Sequence, residues 1–374
     1  MNKVNEYRTK KVNPANNKHI FYAIRFRDPI TGKSTTKRGF TTKREAKDWY
    51  IRHVAQLKEQ GFEIKKITFN EAATRWLNMK RHTVAGATYC KYESQYRNHL
   101  VNAFGNKIIS DITVSDCQNL ANDFSGRFTR PNKLLNTFSN VFQYALKNQW
   151  ITRNPMKLIN RPRESRSHKP NSFTKEEFQI FKKAVVEHYA DNPKAKALLL
   201  LLGDTGMRKG EALALRWNKI DLENRVITID HAVTRDFNNK LVSDGSTKNV
   251  YSVRNISIGK NLVEVLQEWK NYQLKELDTT FDPERLVFTN INGEVLSVAK
   301  PGKWMKTIER EYGLPKVTVH GLRHTFTTLL ISHTGNVNAV SSSLGHSNAE
   351  VTMKVYNDLH PMLNSKGANY LDSL

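Results

Sequence analysis

The stretch Arg161-Pro162-Arg163-Glu164-Ser165-Arg166-Ser167-His168-Lys169-Pro170 limits the fold more than any other part of the chain. Two prolines among charged and small polar residues cannot continue a helix or enter a core, so the composition is that of an exposed linker. The apolar residues on either side must then be buried separately. At 374 residues the chain is also longer than one ordinary domain. The linker's basic residues either lie along a polyanion or solvate a tether, and the residues alone leave both open.

Charge narrows the partner. Lys and Arg number 59 against 35 Asp and Glu, a formal net charge of +24. An excess of that size favours nucleic acid or an anionic membrane face over a role in solubility alone. The longest apolar run, Ala197 to Leu202, falls far short of the roughly 18 residues of a membrane span. The opening MNKVNEYRTKK lacks the apolar centre of a signal peptide, so secretion is not expected. Cys90 and Cys117 have no CxxC spacing, which excludes a disulfide scaffold and a zinc knuckle and fits a reducing cytosol with packed thiols.

An α+β, multidomain fold is predicted, in four parts. Residues 1–63 carry 15 Lys and Arg against 6 Asp and Glu, a surplus of nine. There Ile20 to Phe26 and Ser34 to Phe40 read as strands around the turn Asp28 to Gly32. Thr42 and Glu45 have capping-box spacing before a helix with Ala46, Trp49, Tyr50, Val54 and Leu57 on one face. The expectation is a small three-stranded sheet packed on that helix. Residues 64–160 read as helical throughout, with faces marked by Phe69, Ala72, Ala73, Trp76 and Leu77, by Tyr89, Tyr92, Tyr96 and Leu100, and by Leu134, Leu135, Phe138, Val141, Phe142 and Ala145. At helical spacing such aromatics read as core rather than base-stacking surface. The linker spans 161–171. Residues 172–374 form a mixed, mainly α domain with a small sheet, opened by the helix start Ser172 to Glu177.

Four stretches of this last domain carry chemistry. In Thr205-Gly206-Met207-Arg208-Lys209-Gly210-Glu211, Gly206 marks a tight turn that presents Arg208 near a helix start. In His320-Gly321-Leu322-Arg323-His324-Thr325, His320 and Arg323 share a helical face. In Leu344 to Tyr356, Ser347 and Glu350 have capping-box spacing, so a helix starts after His346 and carries Tyr356 about two and a half turns on. Thr247 to Ile258 alternates like a strand after a turn at Asp244-Gly245-Ser246, with Val226 to Asp230 as partner and Lys248 near the hairpin tip. Singly, each stretch reads as ordinary surface or core.

Taken in order, the four stretches resemble the tyrosine recombinase (integrase) family of phages and conjugative transposons. Arg208 and Glu211 match its TGxRxxE box, and Lys248 matches its lysine in a KxxxSxR context with Ser252 and Arg254. His320 and Arg323 match the HxLRHT box, His346 the LGH box, and Tyr356 the nucleophile ten residues later. None of the six catalytic positions departs from the pattern. The resemblance is specific over about 200–360 and looser over the helical segment, which is similar to the family's core-binding domain. The N-terminal module is similar to its arm-type DNA-binding module.

The chemistry this implies suits these side chains. Arg208 and Arg323 clamp the non-bridging oxygens of a DNA phosphodiester and neutralise charge in a five-coordinate transition state. A cationic site also favours the phenolate of Tyr356. His320 accepts its proton or orients the phosphate, His346 donates to a phosphate oxygen, and Lys248 protonates the departing 5′ oxygen. Glu211 and His324 support these groups. The implied product is a 3′-phosphotyrosyl link that conserves bond energy, so no cofactor is expected. No metal is expected either, since the arginines take the charge-neutralising role and the boxes lack acidic clusters. His320 and His324 have zinc-ligand spacing, but without the HExxH glutamate. The implied partners are double-stranded DNA at core and arm sites, further copies in a homo-tetramer on synapsed DNA, and a host DNA-bending protein and an excisionase, with no membrane. The implied location is the cytoplasm of a bacterial host, on the nucleoid. Type IB topoisomerase-like relaxation uses the same tyrosine and arginines and is disfavoured by the arm module. A non-catalytic DNA-binding regulator is disfavoured by the full set of six. The tail from Asn357 to Leu374 docks on a neighbouring protomer, as the resemblance implies, or packs on its own domain.

Overall fold

The computed structural model describes residues 3–27, 34–59, 67–164, 171–246, 253–277 and 280–345. The expected turn at Asp28 to Gly32, Lys248, His346, Tyr356 and the tail lie outside the described residues. The chain divides into two compact units, Met1–Arg166 and Ser167–Leu374.

The first unit opens with an antiparallel sheet of β1 (Lys3–Asn13), β2 (Lys18–Arg27) and β3 (Ser34–Phe40), followed by α1 (Lys43–Glu59). Ile24, Phe26 and Phe40 meet Ala46 of α1 in a small core, with Val4, Tyr22, Trp49 and Tyr50 packed against it. Pairing of Tyr7 with Phe21 and of Arg25 with Thr36 puts these residues on the opposite face. There the Arg38 guanidinium lies 5.7 Å from the Tyr7 ring. The capping box expected at α1 forms by half. Thr42 Oγ1 accepts from the Glu45 amide, while the Glu45 carboxylate accepts from the amide and hydroxyl of Thr41 instead of Thr42.

Helices α2 (Phe69–Thr83), α3 (Gly86–Gln95), α4 (Val101–Phe104), α5 (Val114–Arg127) and α6 (Pro131–Lys147) follow, with a π turn at Tyr96–Leu100 between α3 and α4. The first and third faces expected from spacing are buried together: Phe69, Trp76, Phe138, Phe142 and their neighbours form one core, with Tyr89, Tyr92 and Tyr96 packed against it. Both cysteines are buried, and they form no disulfide with each other. Burial first, then the adjacent Asp116 charge, pushes the Cys117 thiol up to about 12, where it is unreactive.

The segment expected as an exposed linker is held at its start. Glu164 accepts from the Asn132 amide at 2.8 Å, Asn132 donates to the Pro162 carbonyl at 2.9 Å, and Arg161 donates to Asn136 at 2.7 Å. A carboxylate here satisfies an amide that the first turn of α6 leaves without a partner. Arg161 and Arg163 stay exposed, and 165–170 lie outside the described residues.

The second unit is built on α7 (Lys175–His188), α8 (Pro193–Thr205), α9 (Lys209–Ala214), α10 (Lys260–Glu276), α11 (Lys300–Glu311), α12 (Val319–Thr334) and α13 (Val337–Leu344). Helix α8 is buried all round, Leu198 to Leu202 included, so it forms the central rod. Its buried Lys194 and Lys196 reach Glu276 and Glu268 of α10, each at 2.7 Å. The helix start expected at Ser172 to Glu177 is α7, closed by a full capping box between Thr174 and Glu177.

Between α9 and α10 lie β4 (Ile220–Asp221), β5 (Val226–Ile229), β6 (His231–Arg235), β7 (Leu241–Ser246) and β8 (Arg254–Ser257). Strand β5 pairs β8 as the alternation predicts, Thr228 opposite Asn255. The expected turn at Asp244-Gly245-Ser246 is corrected: these residues continue β7, where Ser246 pairs His231 of β6. The reversal falls earlier, at residues 236–240, where Asp236 accepts from the amides of Asn238 and Lys240. No helix among the described residues is long and apolar enough to cross a membrane.

Candidate active site

Helix α8 ends at Gly206, whose φ of +61° lies in the left-handed region open to glycine. A Cβ there would also stand 2.5 Å from the Phe326 ring, so α12 crosses at this point because residue 206 has no side chain. Two residues on, Arg208 is extended (φ −70°, ψ 145°) and caps α9. Its amide donates to Glu211 Oε2 at 2.7 Å and its Nη1 to Glu211 Oε1 at 2.8 Å. The Arg208 side chain keeps 41 % of its surface exposed, whereas Glu211 keeps 2 %. The spacing thus placed Arg208 correctly, on a turn between helices and facing outward.

Arg323 projects from α12 but is 2 % exposed. It donates to the Gly206 carbonyl at 2.9 Å and the Leu344 carbonyl at 2.8 Å. Its fork therefore joins the turn before Arg208 to the end of α13, one residue short of the Gly345 cap. Burial first, then the Arg208 charge, lowers Arg323 to about 9, with Glu211 acting the other way, and it stays charged at neutral pH. Burial alone would raise Glu211. Hydrogen bonds and charges from Arg254 and Arg208 outweigh that and hold the carboxylate below its ordinary range.

His320 and His324 sit one turn apart on α12 with ring centroids 4.8 Å apart, nearly perpendicular. Desolvation, then the charges of Arg323 and Arg208, lowers His320. Desolvation, then His320 and Arg323, brings His324 down to about 4. Both rings are neutral at pH 7. The start of α12 is pinned from two sides. Asn171 exchanges hydrogen bonds with Thr318, and Thr325 Oγ1 accepts from the Phe173 amide at 2.9 Å. Gly321 permits this approach, since a Cβ there would lie 2.5 Å from the Asn171 carbonyl.

Arg208, Glu211, His320, Arg323 and His324 are thus brought together around one turn, while Lys248, His346 and Tyr356 lie outside the described residues. Two supports were not singled out from sequence. Arg254, read there only as context for Lys248, is buried and paired with Glu211 at 2.8 Å. Its signal was an arginine at an inward position of an alternating strand, in step with buried Ile256. Glu309 accepts from the Val317 amide at 2.9 Å and so holds the loop into α12. It borders a cavity of about 1010 Å³ shared with Met207, Lys209, Lys306 and His320. Burial raises its carboxyl above the ordinary value. An isolated glutamate in an amphipathic helix carries no sequence mark of that role.

Residues 172–362 match the phage integrase family, and residues 68–125 match the phage integrase N-terminal SAM-like domain. The chain belongs to the phage integrase family. A tyrosine recombinase XerC-like protein of Caldanaerobacter subterraneus subsp. tengcongensis is 29 % identical over 98 % of this chain and 99 % of its own length. The integrase of Staphylococcus phage L54a is 24 % identical over 79 % of this chain and 89 % of its own. In fold, the Tn1549 transposon integrase with circular intermediate DNA matches at TM-score 0.65 and 20 % identity, over 82 % of this chain and 100 % of that one. A lambda integrase dimer on a COC′ core site matches at 0.62 and 17 %, over 96 % and 95 %. This integrase-family chain is a tyrosine recombinase, a DNA-binding enzyme that cleaves and rejoins DNA strands.

Proposed function

We propose that the protein is a site-specific recombinase that integrates and excises a phage or other mobile element, with Tyr356 as nucleophile. The observation that carries this reading is that Arg323 donates to the Gly206 carbonyl, two residues before the solvent-open Arg208, with His320 about one turn before Arg323 on α12. The open Arg208 guanidinium, the buried positive charge of Arg323 behind it and a neutral imidazole suit a phosphate site with a proton acceptor in it. The Tyr356 oxygen attacks phosphorus, the bond to the 5′ oxygen breaks, and that oxygen takes a proton from Lys248. His346 donates to a phosphate oxygen. The 3′-phosphotyrosyl link is then attacked by the 5′ hydroxyl of a partner strand, which frees the tyrosine.

In this reading residues 1–63 bind arm sites, 64–160 bind the core site, 161–171 connect them to the catalytic domain at 172–374, and four copies act on synapsed DNA. A host bending protein and an excisionase set direction, in the cytoplasm of a bacterial cell. The test is to express the protein beside its own element's ends and sequence the products. Circular junctions and restored target sites are expected. Relaxation of any supercoiled plasmid without junctions would mean a topoisomerase instead.

His320 is assigned as the acceptor of the Tyr356 proton, because its depressed pKa keeps it neutral. The ring charges only as pH falls through that lowered value. The single-turnover cleavage rate should therefore hold its plateau at neutral pH and fall on an acid limb centred below about 6.5. An acid limb centred above that value contradicts the assignment.

The sheet face with Tyr7, Phe21, Arg25 and Arg38 is assigned to arm DNA. Deleting residues 1–63 should weaken arm-site binding by at least about tenfold and flatten its salt dependence, because fewer phosphate contacts release fewer counterions. Core cleavage should persist. Its complete loss in a folded protein contradicts the modular reading.

A further inference from the structure

We propose that Arg254 is a positioning residue for strand cleavage, setting both the direction of the Arg208 guanidinium and the turn that leads into His346. The inference rests on the reading of Arg208 and His346 as phosphate-binding groups.

Arg254 opens β8, whose backbone is fixed by pairing with β5, and its side chain is 6 % exposed. Its planar fork works in two directions. Toward α9, Nη2 meets Glu211 Oε2 at 2.8 Å and Nη1 meets Oε1 at 3.2 Å. Toward α13, Nε donates to the Ser343 carbonyl at 2.9 Å. The carboxylate gripped by Arg254 is the one that accepts from both the amide and Nη1 of Arg208. Its plane therefore decides where the Arg208 guanidinium points. At α13, Arg254 and Arg323 take the carbonyls of Ser343 and Leu344, two and one residues before the left-handed cap at Gly345. His346 is the next residue.

An ion pair that only filled a core would be replaceable by apolar side chains of similar volume. Arg254 does more, because one rigid plane serves the carboxylate and a helix-end carbonyl on two separate elements. A lysine at this position supplies a charge but cannot hold both oxygens of Glu211 and the Ser343 carbonyl together.

The test uses the full chain and single-turnover cleavage of a suicide duplex bearing the element's junction. One duplex carries the normal scissile phosphate and the other a methylphosphonate, which lacks the negative charge that the arginines neutralise. Tyr356 attacks phosphorus and the bond to the 5′ oxygen breaks in both. Arg208→Ala, Arg254→Met and Arg254→Lys are compared with the unaltered protein. On phosphate, Arg208→Ala and Arg254→Met should each cleave about 10²-fold more slowly, as when one preorganised donor is lost. Arg254→Lys should be at least about tenfold slow, and DNA affinity should stay within roughly threefold for both Arg254 variants. On methylphosphonate, every variant should come within roughly threefold of the unaltered protein.

If Arg208→Ala recovers on methylphosphonate and the Arg254 variants do not, Arg254 only supports the fold and the inference fails while the site reading stands. If Arg208→Ala does not recover either, the site reading fails and takes the inference with it. Should Arg254→Met not fold, Arg254→Lys decides, and cleavage of the phosphate duplex at the unaltered rate overturns the proposal.

Discussion

Tyr356→Phe should abolish covalent capture of DNA while leaving DNA affinity within about twofold, because the change removes one oxygen and neither charge nor bulk. A nicked suicide duplex makes this clear, since its cleaved fragment diffuses away and the 3′-phosphotyrosyl complex accumulates on a denaturing gel. The unaltered chain should give the shifted band and Tyr356→Phe none. The loss should be all or nothing, because no water attack at this phosphate restores a protein–DNA bond. A shifted band from the phenylalanine variant means that another side chain is the nucleophile.

Glu211→Ala should be strongly destabilising. It strands the Arg254 guanidinium, whose side chain is 6 % exposed, near a second buried arginine, Arg323. Removing one partner of a buried ion pair costs about 3–5 kcal/mol, because the other charge stays buried without compensation. Denaturant unfolding should show that loss at neutral pH, and a loss under about 1 kcal/mol would contradict the buried network. The pH dependence has a definite sign. Arg254 and Arg208 hold the folded-state pKa of Glu211 below its ordinary 4.5, so its stabilisation is fully present above that value. As pH falls through the lowered folded value, the carboxylate takes a proton in both states. The gap between the unaltered chain and the variant should then narrow.

How much could be read from sequence varied with the physics at each place. Gly206 and Arg208 were readable because a glycine turn before a helix start is a local feature, whereas Glu211 was marked only by the family resemblance and its buried pairing with Arg254 is distant in sequence. The shared face of His320 and Arg323 was readable for the same reason, but the burial of Arg323 was not. That burial depends on the carbonyls of Gly206 and Leu344, both distant in sequence from α12. Strand β1 has the sequence KVNEYRTKKVN, almost without apolar alternation, and forms because β2 offers it an edge. The turn expected at Asp244-Gly245-Ser246 was misplaced because Asp-Gly is a strong local turn signal, overridden here by pairing with β6. Likewise Pro162 and Glu164 look like linker until Asn132 supplies hydrogen bonds from 30 and 32 residues away.

The central claim is that Tyr356 carries the DNA in the covalent intermediate, and peptide mapping of that intermediate tests it most directly. The trapped complex of the unaltered protein, digested with trypsin and nuclease, should yield a nucleotide adduct on the peptide following Lys354, with fragmentation placing the phosphate on Tyr356. An adduct on any other residue, or capture with the Tyr356 peptide unmodified, would contradict the account.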